Sequence, residues 1–393
     1  MLFHVDDIIV VYNDEILIDD IETKLKTRLE LKCEGEPKMF LGVAIERQTD
    51  GSYILDQKAY IEAMADRFSV AEDSKKQVEQ PCVYGEKLTK EQLPKTDEEK
   101  REAEKLPFQA LVGSLIYVSK TRPEVAYAIS NIARFMSCWG VIHFKAALRI
   151  LKYLYQTRDL KHVIKCNDNE LILHAYVDAN WKDERESTNK NEDVKWKSQY
   201  GYLVYIDNVL VSWVSKRASS RAHSSMEAEY YAADECVKEV IWFRALLDEL
   251  GHTQHAPTIL HEDNDACISF SKNNTCHART KHIDLRIHCL RDYVFDKVCT
   301  LKHVDTIHQL ADGLTKAQLK NIFISHVSKM FSGADVWPPE SSIRKSKKKS
   351  KPWFKRKPKA KTALAKVEWG NDAAAALKLV KKVALLRKAA EGG

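Results

Sequence analysis

Leu171-Ile-Leu-His-Ala-Tyr-Val-Asp178 is a mainly apolar run that stops at an acid. Its length and its aromatic and β-branched content predict a strand over Leu171–Val177, with Asp178 at the strand end. Outward from it the strand signal resumes at Tyr200–Ile206 and Val209–Val214. Helical patterns follow at Ser224–Leu250, Asp265–Ser271 and Lys281–Lys297, with strands near Thr258–Leu260 and Thr300–Val304 and a helix near Ala311. Strands interleaved with helices predict an α/β domain over residues 166–330.

Three other acids stand out, each in a local setting of its own. Glu229 sits early in the helix in Glu227-Ala-Glu229-Tyr-Tyr, Asp263 follows a strand in His-Glu-Asp263-Asn, and Asp312 closes Gln309-Leu-Ala-Asp312. Acids so far apart in sequence meet only if a fold gathers them. Strand ends and helix starts are positions from which side chains converge at one end of a sheet. Gathered, four carboxylates suit two divalent ions about 3.5–4 Å apart, one activating water and the other stabilising a leaving oxygen. Mg²⁺ keeps several waters and needs few carboxylates. The bland reading stands beside this one, because acids at such positions also serve solubility and capping.

The bulk composition frames these motifs. The chain has 393 residues, room for two or three domains, and its 44% hydrophobic and 30% charged content is that of a globular protein. No apolar run approaches the roughly 18 residues of a membrane span, and the N-terminus lacks a secretory pattern. Nine scattered cysteines give no disulfide framework, so reduced thiols and an intracellular, cytoplasmic or nuclear location are expected. Eleven basic residues and no acid lie between Arg344 and Lys361. They exceed the net charge of +6, so the rest of the chain is acidic, at −5.

Upstream, Phe3-His4-Val5-Asp6-Asp7-Ile8-Ile9-Val10-Val11 reads as a hairpin with its acids at the turn. A helix is predicted around Asp19–Leu31, a strand over Phe40–Ile45, a turn at Thr49–Ser52 with a partner strand to Leu55, and a helix over Gln57–Phe68. Residues 70–104 read as a loop-rich connection. Phe108–Lys120, Pro123–Phe135 and His143–Gln156 read as amphipathic helices. Residues 1–75, 76–165, 166–330 and 331–393 are thus the expected divisions. In the last, a helix over Asn371–Ala390 is marginal by itself.

The wording of the motifs is more specific than their spacing. Leu111-Val-Gly-Ser-Leu-Ile-Tyr117, Thr121-Arg-Pro-Glu-Val-Ala-Tyr-Ala128, Ala175-Tyr-Val-Asp-Ala-Asn-Trp181, Ser212-Trp-Val-Ser-Lys216, Ser224-Ser-Met-Glu-Ala-Glu-Tyr230, Glu262-Asp-Asn264, Arg279-Thr-Lys-His-Ile-Asp284 and Gln309-Leu-Ala-Asp-Gly-Leu-Thr-Lys316 occur in this order. Read together they resemble the C-terminal part of the Pol polyproteins of copia-type LTR retrotransposons, over roughly residues 1–330. Val5-Asp6-Asp7 and Phe40-Leu41-Gly42 look like the end of that family's reverse-transcriptase palm. The resemblance implies a partial palm over 1–75, a thumb or connection-like helical region over 76–165, and a ribonuclease H (RNase H)-like mixed sheet with flanking helices over 166–330. Beyond the resemblance, the low-complexity basic composition of the tail leads us to expect it to be largely disordered.

By motif position the resemblance implies Asp178, Glu229, Asp263 and Asp312 as catalytic, metal-holding acids for Mg²⁺ or Mn²⁺. It implies hydrolysis of the RNA strand of an RNA/DNA hybrid, leaving a 3′-hydroxyl and a 5′-phosphate. Glu229 is preferred to Glu227, which points to another side of the helix. Asp284 competes with Asp312 for the fourth place. Asn180 stands where relatives usually carry a second Asp. His303 is a candidate for product release or proton transfer, although a lone His is more often structural.

The polymerase remnant is a different matter. Asp6 and Asp7 would be two of three metal-binding acids, the third lying far upstream in the family, and His4 replaces the usual Tyr. No polymerase activity is expected from this chain alone. Cys267, Cys276, His277, His282, His288 and Cys289 invite a zinc reading, but the spacing Cys-x8-Cys-His suits a structural site poorly. The basic tail, with Trp353 and Phe354, suits phosphate contact and base stacking. It equally suits a nuclear localisation signal or a solvated tail. The rival to a nuclease is a decayed element that binds nucleic acid without cutting it.

Overall fold

The computed structural model describes residues 2–5, 7–12, 15–70, 77–165, 171–185, 196–272, 285–331 and 362–368. Two compact units divide the chain: residues 1–64, 157–170 and 338–393 in one, 65–156 and 171–337 in the other.

The first unit opens on the expected hairpin, β1 (Leu2–His4) antiparallel to β2 (Asp7–Tyr12), with His4 opposite Asp7. Helix α1 (Glu15–Lys26) and strand β3 (Leu31–Gly35) follow. Ile8, Val10 and Ile18 form a small core, with Tyr12, Leu25, Leu31 and Cys33 packed against it. The strand expected over Phe40–Ile45 is two strands, β4 (Met39–Phe40) and β5 (Val43–Arg47). Leu41 and Gly42 both have positive φ, and that turn folds β4 back antiparallel onto β5. The Thr49–Ser52 turn leads to β6 (Tyr53–Asp56), then α2 (Lys58–Arg67).

The second unit begins with a correction. Residues 70–104, read as loop, contain α3 (Asp97–Glu104). Thr96 Oγ1 accepts from Glu99 N, and the Glu99 carboxylate accepts from Thr96 N, both at 3.2 Å. This reciprocal capping box starts a helix whose only buried residue is Ala103, so no apolar stripe announces it. Next come α4 (Phe108–Val118), α5 (Ala126–Ala133) and α6 (Val141–Gln156). Phe108, Leu111, Val112 and Leu115 on α4, and Ala147, Ile150, Leu151 and Leu154 on α6, are the buried faces, at helical spacing. A short strand that the sequence did not announce, β7 (His162–Ile164), returns to the first unit and pairs with β6, giving the antiparallel order β4-β5-β6-β7.

The remaining chain builds an α/β layer. Strands β8 (Leu173–Arg185), β9 (Trp196–Ile206) and β10 (Val209–Arg217) form an antiparallel meander. Helix α7 (Ser225–Glu249) leads to β11 (Thr258–Glu262), which adds parallel to β8. After α8 (Asp265–Lys272) and α9 (Leu285–Phe295), β12 (Cys299–His303) adds parallel to β11. The order β10-β9-β8-β11-β12 is the RNase H-like mixed sheet expected from the sequence, with helices flanking it. Leu173, Ala175 and Val177 alternate inward along β8. Small Ala228, Ala232 and Ala233 on α7 let that helix approach the sheet closely.

Both ends of α7 are fixed by local chemistry. Ser224 Oγ accepts from Glu227 N at 3.2 Å, and the Glu227 carboxylate accepts from His223 N at 2.6 Å. At the other end Gly251 takes φ +81°, while Gly251 N donates to Asp248 O and His252 N to Leu247 O. That left-handed cap turns the chain into β11. The expected helix near Ala311 is a 3₁₀ turn over Leu310–Leu314, and α10 (Lys320–Met330) follows.

The tail contributes one described strand. β13 (Thr362–Glu368) lies between β2 and β3, parallel to both, in the order β1-β2-β13-β3. The basic run, Trp353, Phe354 and the helix expected over Asn371–Ala390 lie outside the described residues.

Candidate active site

Asp178 lies at the mid-sheet strand β8, opposite Gly201 of β9. Glu229 projects from the first turns of α7, and Asp263 follows β11. One oxygen from each of Asp178, Glu229 and Asp263 lies within 4.8 Å of the others, the only group among the described residues whose ligand atoms are close enough to share a metal ion. Glu227 takes no part, because its carboxylate caps α7.

Burial gives this cluster its chemistry. Asp178 and Glu229 are almost fully buried, and so is Glu262, at the end of β11. Burial, then the charge of Asp312, pushes the Asp178 carboxyl up to about 7, against the pull of Lys316 and Thr315. Burial, then Asp178, Glu262 and Asp263, lifts Glu229 well above the carboxylate range. Glu262 is lifted in the same direction by burial and the same neighbours, although Asn264 N donates to its Oε1 at 3.1 Å. Among the described residues, Glu229 Oε2 and Glu262 Oε2 are buried acceptors without a hydrogen-bond partner. Oxygen donors gathered this way, with carboxylate oxygens unmatched by any donor, fit a hard divalent cation.

The 3₁₀ turn carries Asp312 to the same end of the sheet. Gln309 caps it, accepting from Ala311 N at 3.3 Å, and donates from Nε2 to Val177 O at 2.9 Å and His261 O at 3.3 Å. One amide therefore ties Val177, inside β8, and His261, near the end of β11, to the turn. Thr315 Oγ1 donates to Asp178 Oδ2, and Ser215 Oγ donates to Leu314 O at 2.6 Å. A Cβ on Gly201 would stand 2.5 Å from Leu314 Cβ, so only glycine lets the turn lie this close to β9. Asp312 Oδ1 is paired at 2.8 Å with Lys316 Nζ. Burial raises the Asp312 pKa, and Lys316 opposes that rise.

Comparison with known proteins places the chain. No family model matches it. The Pol polyprotein of tobacco transposon TNT 1-94 is 35% identical over 325 residues, 82% of this chain and 24% of that protein. The Pol polyprotein of Arabidopsis thaliana transposon RE1 is 33% identical over 342 residues, 86% of this chain and 22% of that protein. The chain belongs to the copia-type, retrovirus-related Pol polyproteins. It spans about a quarter of the length of these relatives. Among solved structures, RNase H1 of Halobacterium salinarum NRC-1 is 15% identical with a TM-score of 0.25, covering 36% of this chain and 93% of that one. LC11-RNase H1 in complex with an RNA/DNA hybrid is 11% identical with a TM-score of 0.28, covering 36% and 93%.

Within this copia-type Pol chain, Asp178, Glu229 and Asp263 come together, while Asp312, the fourth acid expected, is outside that group, its charge felt by Asp178 and its carboxylate paired with Lys316. Asp284 and Asp6 lie outside the described residues, while Asp7 begins β2 in the other compact unit. Of the zinc candidates, Cys276, His277 and His282 also lie outside, and burial lifts the Cys267 thiol well above its usual range. His303 is half-exposed and faces Asp265 at 3.1 Å. Glu262, Gln309, Thr315 and Lys316 belong to the sequence motifs, but the sequence alone assigns them no role. The two acids in a row at Glu262-Asp263 were the signal for the first. For the others it was polar residues on either side of Asp312.

Proposed function

We propose that this copia-type Pol chain hydrolyses the RNA strand of RNA/DNA hybrids at the site built by Asp178, Glu229, Asp263 and Asp312. The observation that carries the reading is the convergence of Asp178, Glu229 and Asp263 within 4.8 Å at one end of an RNase H-like sheet. These acids and Asp312 would hold Mg²⁺ or Mn²⁺. When bound, a pair of such ions supplies an activated water and offsets the charge on the departing 3′-oxygen.

The chain's own groups prepare that site. Burial keeps water away from Asp178 and Glu229, which strengthens their grip on a cation. Thr315 fixes one Asp178 oxygen, and Thr306 Oγ1 donates to Asp263 Oδ2 at 2.9 Å, so two of the acids are oriented before any ligand arrives. The 2′-hydroxyls of the substrate would mark the strand to be cut. The basic stretch 344–361 would add salt-sensitive phosphate contacts without reading bases.

The test is Mg²⁺-dependent cleavage of an end-labelled RNA/DNA hybrid by the full chain, beside Asp178→Asn. Cleavage by the parent and none by the variant is expected. Equal cleavage by both, or none by the parent, removes the proposal. Hybrid binding without cleavage would leave the chain a nucleic-acid-binding protein.

A further inference from the structure

Lys316 presses an ammonium into a cluster of acids that would otherwise share cations. Burial works to lower its pKa, but Asp178 and Asp312 outweigh that and raise it. Lys316 also lines a narrow cavity, together with Cys82, Glu124, Tyr127, Gly313 and Gln318. Glu124 belongs to the Thr121-Arg-Pro-Glu124 motif, which the proposed chemistry does not use. It is buried, with Oε1 accepting from Arg122 Nε at 2.6 Å, while its Oε2 has no hydrogen-bond partner among the described residues. Gln318 Oε1 is buried and likewise without a partner, its amide nitrogen meeting His326 Nδ1 at 2.9 Å. Two orphaned acceptors beside a lysine are an unusual and costly arrangement.

We infer that Lys316 is an exchangeable internal cation, seated on Asp312 when no divalent ion is bound and on Glu124 Oε2 and Gln318 Oε1 when one is. The inference rests on the proposed metal role of Asp312. A divalent ion at Asp312 repels an ammonium held 2.8 Å from the same carboxylate. The flexible four-carbon stem of lysine allows the head to turn while the backbone stays in place. The cavity supplies what the displaced ammonium requires: a carboxylate oxygen and an amide oxygen, both already desolvated. Glu124 would then bridge two cations, Arg122 on one oxygen and Lys316 on the other. The Arg122–Glu124 pair thereby becomes a positioning element for the site, acting through Lys316.

The experiment is Mg²⁺ titration by calorimetry on the full chain and on Lys316→Met, Gln318→Met and the double variant. Glu124→Gln would also change the buried Arg122–Glu124 ion pair, so Gln318→Met carries the cycle. Lys316→Met is expected to tighten Mg²⁺ binding about tenfold, because the ion no longer has to displace a competitor. Gln318→Met is expected to weaken it about threefold when Lys316 is present and to change nothing in the Lys316→Met background. Unchanged affinity in Lys316→Met, or an effect of Gln318→Met that persists without the lysine, overturns the exchange while leaving the metal site standing. No binding by the parent protein overturns both.

Discussion

The side-chain amide of Gln309 lies 2.9 Å from the carbonyl oxygen of Val177, although 132 positions separate the two residues. Val177 precedes Asp178, and the same amide reaches His261 and caps the turn that carries Asp312. Gln309 is completely buried, so no water replaces it when it is removed. Gln309→Leu is therefore expected to cost about 1–3 kcal/mol of unfolding free energy, the penalty for stranded backbone acceptors. It should also weaken Mg²⁺ binding, because Asp178, Asp263 and Asp312 lose their common tie. Urea denaturation and Mg²⁺ calorimetry check the two effects, and unchanged values in both would deny Gln309 this role.

Asp178→Asn is expected to inactivate the chain and to stabilise it when divalent ions are chelated. Burial and the charge of Asp312 hold the Asp178 carboxyl up at about 7, so ionising it inside the fold is unfavourable. A group raised in the folded state stabilises at low pH, and that contribution fades as pH rises from the ordinary carboxylate range through 7. The advantage of the asparagine should thus grow over that interval to about 1–3 kcal/mol. Thermal unfolding in chelator at pH 5 and pH 8 checks the sign. Addition of Mg²⁺ should raise the Tm of the parent and leave that of the variant unmoved.

Gly201→Ala tests how closely the Asp312 turn must approach the sheet. The added methyl would stand 2.5 Å from Leu314 Cβ, and Val214 O and the Leu314 carbonyl carbon lie 3.2 and 3.3 Å away. Backbone on both sides cannot rotate aside as a side chain does. Overpacking of this kind costs about 1–3 kcal/mol. The turn, held to β10 by one Ser215 hydroxyl, should move before the sheet does. Hybrid cleavage is expected to fall well beyond the fraction of protein unfolded, and circular dichroism beside initial rates separates the two.

Much of this was legible in the sequence where local pattern and final role agree. Leu173, Ala175 and Val177 alternate because β8 faces the core on one side, but Asp178 stands inside β8 rather than at the strand end that the sequence suggests, because pairing with β9 carries the strand on past it. The hairpin at His4–Asp7 and the α7 start at Ser224 were readable for the same reason. Failures came where polarity hid structure. Helix α3 has no apolar face, so only its capping box betrayed it. Strand β7 is three residues long and gains its place from pairing with β6 across a hundred residues. Glu262 and Lys316 carry no role in the sequence, because the burial of Glu262 and the pairing of Lys316 with Asp312 are properties of the assembled unit. The Asp284 alternative lies outside the described residues, and Asp312 lies near Asp178 without joining the three-acid group.

His143 gives the fold a pH limit that does not depend on the acids. It is fully buried near the start of α6, packed 4.0 Å from the ring of Phe135, and its Nδ1 accepts from Gly140 N at 3.0 Å. Only the unprotonated nitrogen can accept that bond. Burial, then the nearby Arg134 charge, lowers the His143 pKa to about 4. A histidine depressed in the folded state stabilises above its unfolded pKa, near 6.5, and that contribution is lost as pH falls toward 4. The full difference corresponds to about 3 kcal/mol, reduced by whatever water relaxes around the charged ring. His143→Gln keeps an acceptor and removes the titration. The stability of the parent, measured by urea denaturation, should therefore drop more steeply between pH 6.5 and 4.5 than that of the variant. Parallel curves over that range would show that another group sets the acid limit.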